Sequence, residues 1–172
     1  MKGTEIGTKV IAEAAVTVAL GTVLSYIKVF QLPYGGSLTL GGMVPLILFS
    51  LRHGPALGVF TGAVHGVVQL ALEPYILNPA QVLLDYPLPF ACMGLAGYFR
   101  KAPLFGVAVS SAGRFLCHWA SGIIFWYMYT PEGMTPLLYS TLYNGSYMAG
   151  ELIISGIIVY LLLKRGILSI KV

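Results

Sequence analysis

The chain has 172 residues, of which 57% are hydrophobic and only 9% are charged, and its mean hydropathy is +0.82. Soluble domains usually carry about 25% charged residues, so this composition excludes an ordinary water-facing surface and indicates an integral membrane protein. The net charge of +4 comes from short basic clusters between apolar runs, which are typical of membrane topology signals and argue against a nucleic-acid-binding patch.

Six apolar segments are candidates for transmembrane helices, because about 20 apolar residues cross the hydrocarbon core of a bilayer. They are predicted, in chain order, over about residues 8–29, 37–51, 55–72, 79–99, 103–127 and 136–163. The second is short and contains glycine, so we expect it to be tilted or incomplete. The third carries Gly58, Gly62 and Gly66 on one face, which predicts close helix packing. The sequence therefore predicts an all-α membrane protein forming a single integral membrane domain over residues 1–172.

The distribution of basic residues predicts the orientation in the membrane. Basic residues are enriched on the cytoplasmic side of membrane proteins. Eight of the ten fall at one end of the predicted helices: Lys2, Lys9, Arg52, Arg100, Lys101, Lys164, Arg165 and Lys171. With an even number of helices, both termini are predicted to be cytoplasmic.

Several polar and aromatic residues are predicted to lie at one depth, near the outer ends of three helices and in one outer loop. They are Tyr75, Asp85, His118, Trp126, Tyr139 and Asn144. Ionisable groups inside a membrane span are costly and indicate function. A carboxylate, an imidazole, an amide and aromatic faces together suit a small, flat or cationic ligand. Taken singly, Trp126 is equally typical of an aromatic belt at the membrane interface, and His118 of helix packing.

Two further polar pairs have structural interpretations. Arg114 and Glu151 are expected at similar depth near the middle of the bilayer, so they are predicted to form an ion pair beneath the pocket. His65 and Gln69, one helical turn apart, are predicted to be hydrogen-bonded to each other, with contact to a ligand as the less favoured alternative. No metal-ligand spacing, P-loop or marked nucleophile is present in the sequence, and Cys92 and Cys117 are interpreted as small apolar residues.

Three segments of the sequence resemble a known family. They are EPYILNPAQVLLDYPLPF (73–90), RFLCHWASGIIFWYMY (114–129) and LLYSTLYNGSY (137–147). They are similar to the thiamine-specific substrate-binding subunits, or S components, of energy-coupling factor (ECF) transporters, and the match extends over nearly the whole chain. The resemblance implies a six-helix subunit in a prokaryotic cell membrane that captures thiamine from outside. It implies no enzymatic activity, no catalytic residues and no cofactor.

The resemblance also implies specific residue roles. Nine residues correspond to substrate-binding positions: Tyr34, Tyr75, Asp85, Tyr86, His118, Gly122, Trp126, Tyr139 and Asn144. At two of them the chain departs from the pattern, since Asp85 replaces a glutamate and Tyr34 stands where some members have tryptophan. Ala15 and Ala19 resemble the face of small residues that docks on a transmembrane coupling subunit, which carries two cytoplasmic ATPase subunits.

Three alternatives compete with thiamine capture for an ATP-driven importer. The first is the same architecture with selectivity for another vitamin. The second is a membrane-embedded enzyme that uses Asp85 and His118 as acid and base. The third is a structural membrane subunit with no ligand, for which replacement of Asp85, His118 or Trp126 would have no consequence.

Overall fold

The computed structural model describes residues 7–166. Seven α-helices follow one another in chain order: α1 (Thr8–Tyr26), α2 (Val44–His53), α3 (Pro55–Leu72), α4 (Pro79–Asp85), α5 (Pro87–Ala91), α6 (Pro103–Ile124) and α7 (Pro136–Lys164). A 3₁₀ segment, Cys92–Phe99, continues α5, so α4, α5 and this segment together form one membrane span, Pro79–Phe99. The described part of the chain thus contains the six predicted helical segments. Lys2 and Lys171, which contributed to the predicted orientation, lie outside the described residues.

The predicted end of the first helix and the predicted start of the second helix are wrong. Residues predicted as helix over 28–29 and 37–39 instead form an antiparallel hairpin of β1 (Lys28–Gln31) and β2 (Ser37–Thr39). Its turn contains Gly35 at φ +100°, and Gly41 at φ +83° follows β2; both are left-handed conformations that glycine adopts without strain. These glycines end the helical pattern, so the hairpin lies between α1 and α2.

The fourth and fifth predicted helices are interrupted or shorter than expected. Tyr86 leaves the helical conformation, with φ −122° and ψ −81°. It precedes Pro87, whose ring disfavours a helical residue before it and which lacks an N–H for the helix ladder. The predicted helix 103–127 ends at Ile124, and a short 3₁₀ turn, Tyr127–Tyr129, follows. Trp126 therefore lies in the break between the helix and this turn.

The short helix α2 lies at the centre of the bundle. Its ten residues extend only about 15 Å, half of the hydrocarbon thickness. Leu46, Ile47 and Leu51 are almost fully buried and form the core with residues of α5, α6 and α7. By contrast α1 lies at the periphery and packs against α2 and α3.

The predicted glycine face of α3 packs against the broken span. A Cβ atom at Gly62 would lie 2.1 Å from the carbonyl oxygen of Phe90, and one at Gly66 would lie 2.3 Å from that of Tyr86. The backbones approach each other so closely that no side chain fits between them. The packing interpretation of this face is confirmed, and it fixes the position of the break at Tyr86 and Pro87.

The outer surface of the bundle suits lipid. Large apolar side chains such as Val16, Phe60 and Ile153 are more than half exposed. Within the described residues, four helical segments are long and apolar enough to cross a membrane: Thr8–Tyr26, Pro55–Leu72, Pro79–Phe99 and Pro136–Lys164. The chain is therefore an all-α membrane protein with several membrane-spanning helices.

Candidate functional site: a polar and aromatic cavity

A cavity of about 170 Å³ lies between the hairpin, the Pro79–Phe99 span, α6 and α7. A single water needs about 10–15 Å³ by this measure, so there is room for a small organic molecule. All nine residues that the resemblance singled out line it: Tyr34, Tyr75, Asp85, Tyr86, His118, Gly122, Trp126, Tyr139 and Asn144. The structure thus brings the predicted set together at one place, while the role of each residue in binding stays a prediction.

Asp85 is the centre of a hydrogen-bond network on one wall of the cavity. Its Oδ2 accepts from Gln81 Nε2 at 2.6 Å, from Ser121 Oγ at 2.9 Å and from Trp126 Nε1 at 2.9 Å. Its Oδ1 lies 3.2 Å from His118 Nδ1. The carboxylate therefore orients the indole and the imidazole, and most of its capacity to accept hydrogen bonds is used by the protein itself.

His118 presents an open nitrogen atom to the cavity. Because Nδ1 faces the Asp85 carboxylate, the proton belongs on Nδ1 and Nε2 is left as an acceptor. Nε2 is buried and has no hydrogen-bond partner within the described residues. Such an atom suits a donor group on a ligand.

Asn144, in contrast, is held by its neighbours on α7. Its Nδ2 donates to the carbonyl oxygen of Ser140 at 3.0 Å and to Ser140 Oγ at 3.1 Å. Its Oδ1 accepts from Tyr147 Oη at 3.0 Å. Both ends of the amide are engaged, so the predicted contact of Asn144 with a ring nitrogen requires these bonds to be shared or exchanged.

Aromatic rings form one wall of the cavity. The ring centroids of Tyr34 and Tyr129 are 4.3 Å apart, and that of Trp126 lies 6.1 Å from Tyr34 and 5.5 Å from Tyr129. Tyr34 adopts φ +65°, a conformation that non-glycine residues rarely adopt. Faces of this kind attract flat rings and cations.

Tyr86 and Tyr75 are joined through the loop that follows α3. The Tyr86 hydroxyl donates to the carbonyl oxygen of Glu73 at 2.8 Å and accepts from the Tyr75 N–H at 2.7 Å. The Glu73 carboxylate in turn accepts from Lys28 Nζ of the hairpin at 2.7 and 3.0 Å. The hairpin and this loop are therefore linked beside the cavity, which Lys28, Glu73 and Tyr75 line.

The predicted ion pair between Arg114 and Glu151 is wrong. Glu151 Oε1 instead accepts from the backbone N–H and, at 2.7 Å, from Oγ1 of Thr39, while its Oε2 has no partner among residues 7–166. The Arg114 guanidinium lies 5.1 Å from the centre of the Phe90 ring, and its Nε and Nη1 have no hydrogen-bond partner in the described part of the chain. The hairpin brings Thr39 to Glu151, and both charged side chains line the cavity instead of closing beneath it.

Gly122 has a packing reason for being glycine. A Cβ atom there would lie 2.2 Å from Ser140 Oγ, because α6 and α7 cross closely at this point.

The predicted pair of His65 and Gln69 is confirmed, since Gln69 Nε2 lies 3.3 Å from His65 Nε2. Cys92 and Cys117 are free thiols, as interpreted from the sequence.

Four lining or supporting residues were missed by the sequence interpretation. Gln81 and Ser121 donate to Asp85, Tyr129 completes the aromatic wall, and Tyr143 donates to the carbonyl oxygen of Pro33 in the hairpin. Gln81 precedes Asp85 by one helical turn, a spacing that could have identified it. Tyr143 could not have been found, since nothing in the sequence pairs a side chain of the sixth predicted helix with the carbonyl oxygen of Pro33 in the loop between the first two predicted helices.

The charges around the cavity do not cancel. Among the described residues that line it, Glu73, Asp85 and Glu151 are acidic, and Lys28 and Arg114 are basic. With His118 counted as neutral, three negative and two positive groups leave one net negative charge. A cavity of this charge favours a ligand with one positive charge.

Comparisons with known proteins agree on one family. The family model described as thiamine transporter protein (Thia_YuaJ) matches residues 11–169. The thiamine transporter ThiT of Bacillus subtilis is 32% identical, over 87% of this chain and 88% of that protein. ThiT of Lacticaseibacillus paracasei is 27% identical, over 90% of this chain and 86% of that protein.

A solved structure agrees with the fold. ThiT from Listeria monocytogenes superposes with a TM-score of 0.83 at 28% identity, and the match covers 91% of this chain and 94% of that one. The family is one of transport proteins, so the alternative of a membrane-embedded enzyme is wrong. The chain belongs to the thiamine transporter (Thia_YuaJ) family and is a multi-pass protein of the prokaryotic cell membrane.

Proposed function

We propose that this chain binds thiamine in the cavity lined by Asp85, His118 and Trp126 and is the thiamine-capturing S component of an ECF importer. In this role it takes the vitamin from the outer face and presents it to a transmembrane coupling subunit driven by two cytoplasmic ATPases. The relatives from Bacillus subtilis and Lacticaseibacillus paracasei bear the name of thiamine transporters, which supports this choice of ligand.

The observation that carries the proposal is the match between the cavity and the chemistry of thiamine. Thiamine joins an aminopyrimidine to a thiazolium ring with one positive charge. The aromatic wall around Trp126 suits two flat rings, and the single net negative charge suits the cation. Open acceptors and donors at His118, Arg114 and Glu151 suit the amino group and ring nitrogens.

The proposed orientation places both termini in the cytoplasm and the cavity mouth outside. Glu13 near the start of α1 lies 3.5 Å from Arg52 at the end of α2, and the Arg100 side chain lies beside Gly54 at the start of α3. These basic residues therefore share one end of the bundle, opposite the hairpin and Trp126. The positive-inside rule assigns that end to the cytoplasm.

Calorimetric titration of detergent-purified protein tests the ligand. Thiamine, riboflavin, biotin and pyridoxine are injected separately at the same concentration. We expect one saturable site for thiamine and none for the other three vitamins. Saturable binding of another vitamin in preference to thiamine would assign the cavity to a different ligand. If none of the four vitamins gave a heat of binding, the proposal would be contradicted.

A further inference from the structure

Two free thiols meet where the Pro79–Phe99 span packs against α6. Cys92 directly follows α5, Cys117 lies in the second half of α6, and their Sγ atoms are 4.0 Å apart. Both side chains are half-buried, and neither lines the cavity. The proposed thiamine binding therefore leaves this pair without a role.

Close backbone packing brings the two cysteines together. A Cβ atom at Gly113 would lie 3.1 Å from both the Cβ and the Sγ atom of Cys92. Gly113 precedes Cys117 by one helical turn, so both residues lie on the face of α6 that meets the span. Because Gly113 has no side chain, Cys92 can lie directly against α6. The contact between the thiols thus follows from the packing of these two elements.

The separation of the sulfur atoms suits disulfide formation. An S–S bond is about 2.05 Å long, so the sulfur atoms must approach each other by about 2 Å. Rotation of the two side chains, together with a small shift of the span or of α6, supplies a movement of this size. The Cβ atom of Cys92 already lies against α6, so no large rearrangement of the helices is required.

The pair lies beside a contact that shapes the cavity. His118 follows Cys117 directly, and its Nδ1 lies 3.2 Å from Oδ1 of Asp85. Asp85 belongs to the same span as Cys92, on the other side of the break at Pro87. A bond between the cysteines would tie the span to α6 next to this contact. Because both elements are walls of the cavity, the bond would restrict their separation and slow the passage of a ligand.

We infer that Cys92 and Cys117 are a redox-sensitive dithiol that closes to an intramolecular disulfide on oxidation and thereby slows the release of ligand from the cavity. The formation of the disulfide does not depend on which ligand the cavity binds. The effect on release rests on the proposed function, with thiamine as the ligand.

An organic hydroperoxide, of the kind that forms in oxidised lipid, is a suitable oxidant because it dissolves in the membrane. One cysteine sulfur attacks the O–O bond, which gives a sulfenic acid and releases an alcohol. The sulfur of the second cysteine then displaces water from the sulfenic acid to form the S–S bond. The two thiols together lose two protons and two electrons, and the hydroperoxide is reduced to the alcohol and water.

Peptide mapping of the purified full chain in detergent tests the disulfide. The reduced protein is treated with cumene hydroperoxide, free thiols are alkylated with N-ethylmaleimide, and the peptides are analysed by mass spectrometry without reductant. We expect a species in which the peptides containing Cys92 and Cys117 are joined, in a yield that is independent of protein concentration and is reversed by dithiothreitol. Two alkylated thiols, singly oxidised cysteines or links only between chains would overturn the inference.

Release of labelled thiamine into excess unlabelled thiamine tests the restraint on the cavity. We expect release from the oxidised wild-type protein to be at least about threefold slower than from the reduced protein, with the original rate restored by dithiothreitol. An unchanged rate in protein that carries the disulfide would contradict the effect on release. Absence of thiamine binding to the reduced protein would contradict the proposed function instead, while the joined peptides still report on the dithiol.

Cys92→Ala and Cys117→Ala are the matched controls, because each retains one thiol and neither cysteine lines the cavity. The rate of release from both variants should be the same before and after treatment with hydroperoxide. Slowing equal to that of the wild type would assign the effect to oxidation of another side chain, such as Met43 in the cavity lining, and would overturn the inference.

Discussion

The indole N–H of Trp126 donates to the Asp85 carboxylate at 2.9 Å, across the gap between the broken fourth span and the end of α6. The same oxygen accepts from Gln81 and Ser121. Asp85, which the sequence predicted to contact a ligand, therefore also holds the Trp126 ring on which a ligand would stack. The broken helix matters for this arrangement, because Asp85 is the last residue of α4, immediately before the break at Tyr86.

Replacement of Asp85 should weaken thiamine binding even when the side-chain volume is preserved, because the carboxylate orients other residues of the cavity. Asp85→Asn removes the charge and reverses part of the hydrogen-bond pattern, so Trp126 and His118 both lose their orientation. We expect a loss of affinity of about tenfold to hundredfold by calorimetry. Asp85→Glu, which restores the residue of the family pattern, should stay much closer to wild type. Equal affinity in Asp85→Asn and wild type would show that the network has no part in binding.

Close packing of α3 on the broken span predicts a large stability difference between two glycine replacements. Gly62→Ala forces a methyl group against the Phe90 carbonyl, and overpacking of this kind costs about 1–3 kcal/mol. Gly156→Ala, in α7, meets nothing within 4 Å and should be neutral or slightly stabilising. The midpoint of thermal unfolding in detergent measures the stability of both variants. A similar midpoint for the two variants would contradict the packing of Gly62.

The proposed docking face on α1 can be separated from ligand binding. Ala15 and Ala19 are both exposed, one helical turn apart. Ala19→Trp should reduce co-purification with the coupling subunit and thiamine uptake by cells about tenfold or more, because a large ring prevents close helix approach. Affinity of the isolated subunit for thiamine should not change. Ile153→Trp, at an exposed position of α7, is the matched control; if it impaired uptake as strongly, the docking face would not be specific to α1.

The aromatic wall predicts a difference between cationic and neutral ligands. An analogue in which a neutral aromatic ring replaces thiazolium keeps the flat shape but loses attraction to Trp126 and to the net negative charge of the cavity. We expect weaker binding by about fivefold to fiftyfold in a competition assay with labelled thiamine. Equal affinity would contradict the electrostatic part of the account.

Much of the fold and the set of cavity residues could be predicted from the sequence. Apolar segments of membrane-spanning length and proline at helix starts such as Pro55 and Pro103 indicated the helices in the right order. Depth along each helix correctly brought Asp85, His118 and Trp126 to one level. These predictions succeed because they depend on hydropathy and helix rise, which are local properties.

The remaining features depend on tertiary contacts. Residues 28–29 and 37–39 of the hairpin were predicted as helix because they continue the apolar runs of the first two helices, and only the glycines indicate a turn. The ion pair of Arg114 and Glu151 failed because equal depth does not determine which neighbour a side chain meets. Glu151 meets Thr39 once the hairpin folds over the bundle.

Tryptophan fluorescence during a thiamine titration tests the central claim most directly. Trp126 lines the cavity, whereas Trp119 lies outside its lining and donates to Thr141 Oγ1 at 2.8 Å. The account predicts saturable quenching in the wild type and in Trp119→Phe, and loss of most of it in Trp126→Phe. Quenching that persists in Trp126→Phe but disappears in Trp119→Phe, or no quenching together with no calorimetric heat, would contradict thiamine binding in this cavity.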